Sequence, residues 1–324
     1  MSGPGRSRRR FFAATAGLAL SACSSRFTAP ESGPFTVLLA GEADDGGFNS
    51  LVLEGVTRVE ARRNVPVHVV AVPSADGAAL AAALRSAARS ADFTMIFAAG
   101  ASFSAPVQRV AWEFPQQKFT LLQGELLRPN LAAYVLREEE PAWLAGFLAA
   151  RSSGRQAVGM LSDVAEPRRA RLESAFRAGA LEVDGRISIL QADARRGMGQ
   201  AAAELAAQAD VVFGALDAAP DEAIAACRAA GVKYISSLRD WTSVDAGTVI
   251  ASAVADPGAL YAAAVQDLTD AVWRGDFLRA FTLRYTDMLG FAMSARIPPA
   301  VADAVKSAAL DVASGRVAIP GAPA

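Results

Sequence analysis

Apolar and polar positions follow two alternating patterns along this chain. Short, continuously apolar runs rich in β-branched residues predict strands, and longer alanine-rich segments between them predict helices. The predicted strands span residues 36–40, 65–72, 94–98, 119–123, 157–161, 187–190, 211–215 and 234–238. The predicted helices span residues 50–62, 77–91, 105–113, 138–151, 167–181, 198–208 and 221–230. This order is typical of an α/β protein whose parallel strands are buried on both faces.

A polar connection at residues 152–155 divides these units into two similar halves, which predicts two doubly wound lobes. Beyond residue 240 the order of elements changes. The tail contains a predicted strand, a helix, two short strands and a closing helix, at residues 249–254, 257–273, 281–285, 289–293 and 298–313.

Such a tail can return to the first lobe and cross again, so we expect a multi-crossover hinge. Residues 35–152 with part of 255–280 are expected to form an N-terminal lobe. Residues 153–254 with part of 281–320 are expected to form a C-terminal lobe. A cleft between the lobes would be lined by the carboxyl ends of the strands, where open α/β sheets bind ligands.

The N-terminus has the pattern of an export signal. Residues 1–22 contain a basic stretch and an apolar run too short to span a bilayer as a helix, for which about 20 residues are needed. The tetrad Leu20-Ser21-Ala22-Cys23 is typical of a bacterial lipobox, which predicts that Cys23 is lipidated and anchors the chain to a membrane. Residues 7–12 favour a twin-arginine signal, although an ordinary basic region and Sec export stay open. Residues 23–34 are predicted to be a flexible tether.

Composition narrows the function classes. Apolar residues make up 52% of the chain and charged residues 20%, with a net charge of -1, so a compact globular protein without a nucleic-acid-binding surface is expected. Cys227 is the only cysteine besides Cys23 and is expected to be buried in a helix. No disulfide can therefore form within the processed chain.

The loop after the first strand, residues 41–49, carries candidate binding groups. It lacks the glycine spacing and the lysine of nucleotide-binding loops. Asp44, Asp45 and Asn49 could bind a ligand or could instead cap the following helix. Phe48 could stack on a planar ligand or pack in the core.

Other residues argue against catalysis. The only histidine, His68, lies in a predicted buried strand, so no Ser/His/Asp or Cys/His arrangement can be assembled. No His/Cys spacing predicts a metal site, and no cofactor is predicted. The run of glutamates at residues 138–140 is expected to begin a helix. Asp240 and Trp241 follow a predicted strand and are expected at the cleft, where Asp240 could accept two sugar hydroxyls or serve as a turn residue.

Several segments form an ordered set along the chain: Asp44-Asp45-Gly46-Gly47-Phe48-Asn49 followed by Glu54-Gly55, then residues 118–124, Asn130, residues 138–146 and residues 315–320. Together they resemble the basic membrane protein family, which includes purine nucleoside-binding lipoproteins of ABC importers. The resemblance implies a type I periplasmic-binding-protein fold, with aromatic rings and aspartates around a nucleoside. It matches Asp44, Asp45, Phe48 and Asn49 to the binding motif of the family and Asp240 to its ribose aspartate.

Other positions depart from the family pattern. Gln123 and Ala255 replace an aspartate and a lysine, residues 215–217 (Ala-Leu-Asp) replace a glycine-rich stretch, and a second stacking phenylalanine near residues 191–193 is missing. The predicted ligand-binding set is Asp44, Asp45, Phe48, Asn49, Gly100, Gln123, Asp217, Asp240 and Trp241.

The resulting hypothesis is a lipid-anchored, extracytoplasmic solute-binding protein that delivers a small polar solute, nucleoside-like or sugar-like, to an ABC permease and its ATPase. The alternative is a ligand-sensing lipoprotein that signals to a membrane receptor. The export signal argues against a DNA-binding regulator, and an enzyme is the third hypothesis.

Overall fold

In the computed structural model, residues 34–90 and 92–320 form two α/β lobes, as predicted. The signal peptide, Cys23 and nearly all of the tether lie outside these described residues. The strands are β1 (Phe35–Ala40), β2 (Val67–Val72), β3 (Met95–Ala99), β4 (Phe119–Leu122), β5 (Leu131–Leu136), β6 (Ala157–Ser162), β7 (Ser188–Asp193), β8 (Val211–Ala215), β9 (Lys233–Leu238), β10 (Val249–Ala255), β11 (Leu278–Phe281) and β12 (Leu289–Met293). The helices are α1 (Phe48–Arg63), α2 (Gly77–Ser90), α3 (Ser104–Glu113), α4 (Glu139–Ser152), α5 (Arg168–Val183), α6 (Met198–Gln208), α7 (Asp221–Ala230), α8 (Pro257–Thr269) and α9 (Pro299–Ala313).

The first lobe is built on a six-stranded sheet with the order β2-β1-β3-β4-β5-β11, and every pairing in it is parallel. Neighbouring residues of β1 point into different cores. Val37 and Leu39 pack on the side of α1 and α8, whereas Leu38 packs on the side of α2 and α3. Burial on both faces explains why every residue of the strand except Thr36 is apolar.

The second lobe repeats this design with the order β7-β6-β8-β9-β10-β12. Only β12 is antiparallel, and it pairs with β10 at the edge of the sheet. Helices α6 and α7 cover one face, while α4 and α5 cover the other.

Within the described residues the chain passes between the two sheets three times, between β5 and α4, between β10 and α8, and between β11 and β12. The predicted multi-crossover hinge is therefore confirmed. The first crossing precedes α4, so the helix that the sequence pattern assigned to the first lobe packs instead on α5, β8 and β10 of the second. The polar connection at 152–155 lies within the second lobe and does not join the lobes.

Two further differences concern strands. Strand β5 was not predicted, because its alanine-rich sequence lacks the β-branched content of the other strands, yet all six of its residues are buried. Strand β2 lies at the edge of the first sheet, and His68 on it is exposed and stacks on Phe93 with ring centroids 5.8 Å apart. The expectation of a buried histidine was therefore wrong.

No helix in the described part of the chain is both long enough and apolar enough to cross a bilayer.

Helices α4 and α5 approach each other more closely than any side chain would allow. A Cβ atom on Gly146 would lie 2.0 Å from the carbonyl oxygen of Phe176, and one on Gly179 would lie 1.9 Å from that of Trp143. Both obstacles are backbone atoms, which cannot move aside independently of the helices. Reciprocal glycines thus fix the contact that joins the crossing helix to the second lobe.

Gly179→Ala should destabilise the protein by about 2 kcal/mol, because the added methyl group must push two packed helices apart. Chemical denaturation measures the free energy of unfolding. Gly185→Ala is the matched control, since a Cβ there meets nothing within 4 Å, and it should change stability by less than about 0.5 kcal/mol. Equal effects of the two substitutions would contradict the packing argument.

Candidate functional site

The carboxyl ends of both sheets face one cleft, and the cleft encloses a cavity of about 360 Å³, called here the main cavity. The first lobe supplies Asp45, Phe48, Asn49, Gly100 and Ser102 to its wall. The second lobe supplies Asp163, Arg168, Arg195 and Asp217. The main cavity therefore exists only where the two lobes meet.

The loop between β1 and α1 is held by its own polar side chains. The Asp45 carboxylate accepts hydrogen bonds from the backbone N–H groups of Gly47 (2.8 Å), Asn49 (2.9 Å) and Ser50 (3.0 Å). Asn49 Nδ2 donates to the carbonyl oxygens of Ala40 and Glu42 at 2.9 and 2.7 Å. Both side chains thus stabilise the start of α1 and also border the main cavity.

Phe48 borders the main cavity while it is packed against the core, with 5% of its surface exposed. Gly100 lies opposite the ring, and a Cβ on this glycine would lie 3.7 Å from Phe48 Cε1. Phe48 is therefore a core residue that also contributes to the cavity wall.

Three of the predicted residues lie outside the main cavity. Asp44 is exposed and accepts a hydrogen bond from Ser50 Oγ at 3.3 Å. Asp240 is exposed, and its Oδ1 accepts from the backbone N–H and the hydroxyl of Thr242 at 2.9 and 2.7 Å. Trp241 packs against the core formed by α6 and α7. The structure does not bring these three side chains to the main cavity.

Gln123 borders a second cavity of about 410 Å³, which adjoins the main cavity at Ala101, Ser102 and Arg168. The side chain is 3% exposed. Its Oε1 accepts from the Leu136 N–H at 2.9 Å and its Nε2 donates to Glu138 Oε2 at 2.6 Å. Gln123 therefore connects the end of β4 to the first crossing segment.

Arg168, the central residue of the site, is not among the residues predicted from the sequence. Its guanidinium donates from Nε and Nη2 to Glu138 at 2.6 and 2.8 Å, and from Nη1 to both oxygens of Asp217 at 2.8 and 2.9 Å. Only 5% of the residue is exposed. Burial by itself would lower the pKa of Arg168, but Asp217 and Glu138 hold it above its ordinary value. We call Arg168, Glu138, Asp217 and Gln123 the Arg168 cluster.

A signal for Arg168 was present in the sequence. It is the first residue of α5, where the helix dipole disfavours a cation. Acidic partners offset that unfavourable interaction, and Glu138 and Asp217 supply them.

Asp163 was also missed. It follows β6, borders the main cavity, and accepts from the backbone N–H groups of Asp217 (2.7 Å) and Ala218 (3.0 Å). Burial, together with the nearby charge of Asp217, raises the pKa of Asp163 to about 6, although the two N–H groups and Arg168 oppose the shift. The carboxyl group is therefore mostly ionised at pH 7.

The lobes are in direct contact at one side of the main cavity. The Phe48 N–H donates to the Asp217 carbonyl at 2.7 Å, and the Ala219 N–H donates to the Asp45 carbonyl at 3.1 Å. A Cβ on Gly47 would lie 2.0 Å from that same Asp217 oxygen. We call this contact between residues 45–48 and 217–219 the latch.

This architecture defines a class, the two-lobed solute-binding proteins with the type I periplasmic-binding-protein fold. Residues 35–279 match the family model described as ABC transporter substrate-binding protein, PnrA-like. The chain belongs to this family, which confirms the resemblance seen in the sequence. Its members are substrate-binding proteins that act outside the cytoplasm with a permease and an ATPase.

Solved structures show the same fold. An ABC-transporter solute-binding protein of Aeropyrum pernix K1 is 18% identical, with a TM-score of 0.76 over 89% of this chain and 94% of that one. One from Conexibacter woesei DSM 14684 is 21% identical, with a TM-score of 0.64 over 89% and 98%. A transcriptional activator of the comK gene from Bacillus halodurans is 16% identical, with a TM-score of 0.70 over 89% and 100%. At these identities the likeness concerns the fold alone.

Gly47→Ala should open the cleft, because the added methyl group would overlap the Asp217 carbonyl and break the latch. The expected result is a larger radius of gyration in small-angle X-ray scattering of the purified protein. Gly77→Ala is the control in the same lobe, since its Cβ would meet only Pro106, at 3.9 Å. A scattering profile identical to that of the wild type would show that the latch does not hold the lobes together.

Proposed function

We propose that this protein is a lipid-anchored receptor that captures a small polar solute, nucleoside-like or sugar-like, and delivers it to an ABC importer. The observation that carries the proposal is the main cavity, whose polar groups come from both lobes. A solute bound there contacts both walls at once, so binding favours the closed arrangement of the lobes. A permease could then distinguish loaded from empty receptor by its shape.

The chemistry of the cavity supports binding. Its wall presents carboxylates, an amide, a serine hydroxyl and one aromatic face, which can accept hydrogen bonds and stack on a ring. The one histidine of the chain, His68, is exposed on the edge strand β2 of the first sheet and does not line the main cavity. The groups that meet at the cavity fit recognition of a donor-rich solute.

We propose Asp45, Phe48, Asn49, Gly100 and Asp217 as the ligand-binding part of the predicted set, with Asp163, Arg168 and Arg195 added to it. Asp45 and Asn49 hold their loop through hydrogen bonds to backbone groups, so the acceptors they present are preorganised. Gln123 acts through Glu138 and Arg168 as a positioning residue.

The anchoring part of the proposal rests on Cys23 in the lipobox. Since lipidation uses the thiol of this residue, Cys23→Ala should abolish fatty-acid labelling and release the protein from the membrane fraction or leave it unprocessed. Cys227→Ala is the matched control, because that cysteine is buried inside the second lobe, and its variant should label normally. Membrane retention with continued labelling of Cys23→Ala would refute the lipobox interpretation.

Binding should depend on Phe48 more than on Asp240. Phe48→Leu removes the ring and keeps an apolar side chain, so affinity for the bound solute should fall by roughly tenfold. Asp240→Asn should change it by less than about twofold, since that carboxylate lies outside the cavity wall.

The solute is first identified by native mass spectrometry of protein released gently from its host. Calorimetry across nucleosides, free bases, ribose and the identified solute then compares both variants with the wild type. A large loss in Asp240→Asn would restore the hydroxyl-binding role expected from the sequence. A solute indifferent to Phe48→Leu would place its site outside the main cavity.

A further inference from the structure

The two arginines of the main cavity are already neutralised by the protein. Arg168 is bound by Glu138 and Asp217 through four hydrogen bonds. Arg195 is half-exposed, and it donates from Nε and Nη2 to the two oxygens of Asp193 at 2.9 and 2.7 Å. An anionic ligand would have to compete with these carboxylates for each guanidinium group.

Two carboxylates of the same cavity lack such a partner. Asp45 comes from the first lobe and Asp163 from the second, and within the described residues neither forms an ion pair with a lysine or arginine. Their hydrogen-bond partners are neutral backbone N–H groups, three for Asp45 and two for Asp163. A carboxylate has about four acceptor positions. Asp163 therefore keeps more unused capacity than Asp45.

The rest of the wall suits an organic cation. Phe48 offers a ring face, which attracts cations through its quadrupole, and small side chains such as Ala99 and Ala101 leave room beside it. Burial strengthens both the attraction to a carboxylate and the repulsion of an anion. The Phe48 ring, together with the Asp45 and Asp163 carboxylates that form no ion pair, suits a positively charged group.

We propose that the solute captured in the main cavity is a small organic cation, with a protonated amine or amidine against Asp163 and an adjoining face on Phe48. This inference rests on the proposed function and specifies its ligand class. Asp45, on the first-lobe part of the wall, adds attraction from the other lobe, so the charge of the solute itself favours closure.

The test uses three probes of similar size that differ in charge. They are 5′-amino-5′-deoxyadenosine, adenosine and adenosine 5′-monophosphate, and calorimetry on the dialysed mature chain gives their affinities. The amine should bind at least tenfold more tightly than adenosine, as expected for a charge-assisted contact, and the phosphate should bind most weakly.

Asp163→Asn should reduce the preference for the amine by about tenfold and leave adenosine nearly unchanged. Asp303→Asn, on the exposed face of α9, is the control with the same change of charge. Thermal unfolding of both variants verifies that they remain folded.

The amine should also bind more weakly as the pH falls below about 6, because protonation removes the charge of Asp163. Asp217, Arg168, Arg195 and Asp45 are the other charged groups at this cavity. Asp163→Asn should lose most of this pH dependence, since it removes the carboxyl group whose pKa is raised to about 6.

Adenosine binding as tightly as the amine would overturn the charge inference and leave the proposed function intact. Failure of all three probes would overturn it too.

Native mass spectrometry then examines the function separately. A neutral or anionic solute in the purified protein would support capture without a cation, whereas absence of any solute effect on lobe closure in scattering would count against capture itself.

Discussion

The buried guanidinium of Arg168 is the interaction on which the site depends. It joins the first crossing segment, at Glu138, to the second-lobe loop that carries Asp217, and Gln123 extends the connection to the end of β4. A buried charge is tolerated only when its partners satisfy it, because removing one partner leaves an uncompensated ion away from water. The three segments are therefore held in one arrangement, at the point where the lobes must move relative to each other.

Three different groups of Asp217 make contacts at the site. Its carboxylate is held by Arg168, its N–H donates to Asp163, and its carbonyl accepts from Phe48 across the cleft. Asp217 thus links the Arg168 cluster, the Asp163 carboxylate in the main cavity and the latch. The absence of a side chain on Gly47 is what permits the last of these contacts.

A second buried network secures the crossings on the first-lobe side. Asp267 of α8 accepts from Tyr134 Oη at 2.8 Å and from Arg279 Nη1 at 2.5 Å. These partners belong to β5 and β11, so the network ties the returning helix to the edge of the first sheet. Burial and the hydrogen bond to Asp267 both raise the pKa of Tyr134 far above its ordinary range, which keeps the hydroxyl protonated as a donor. The network therefore ties together the three first-lobe elements that border the crossings.

The sequence by itself determined the fold class, most of the strands and helices, the hinge and the family, because burial on both faces and helical periodicity are local patterns. It also located the loop of Asp45, Phe48 and Asn49. Only the tertiary structure decided that α4 belongs to the second lobe, that the alanine-rich β5 is a strand, and that Arg168 and Asp163 meet at the cavity while Asp240 and Trp241 do not. Ion pairs such as Arg168 with Glu138 join residues far apart in the chain, and the direction of a side chain at a strand end depends on the loop that follows. Local patterns do not contain that information.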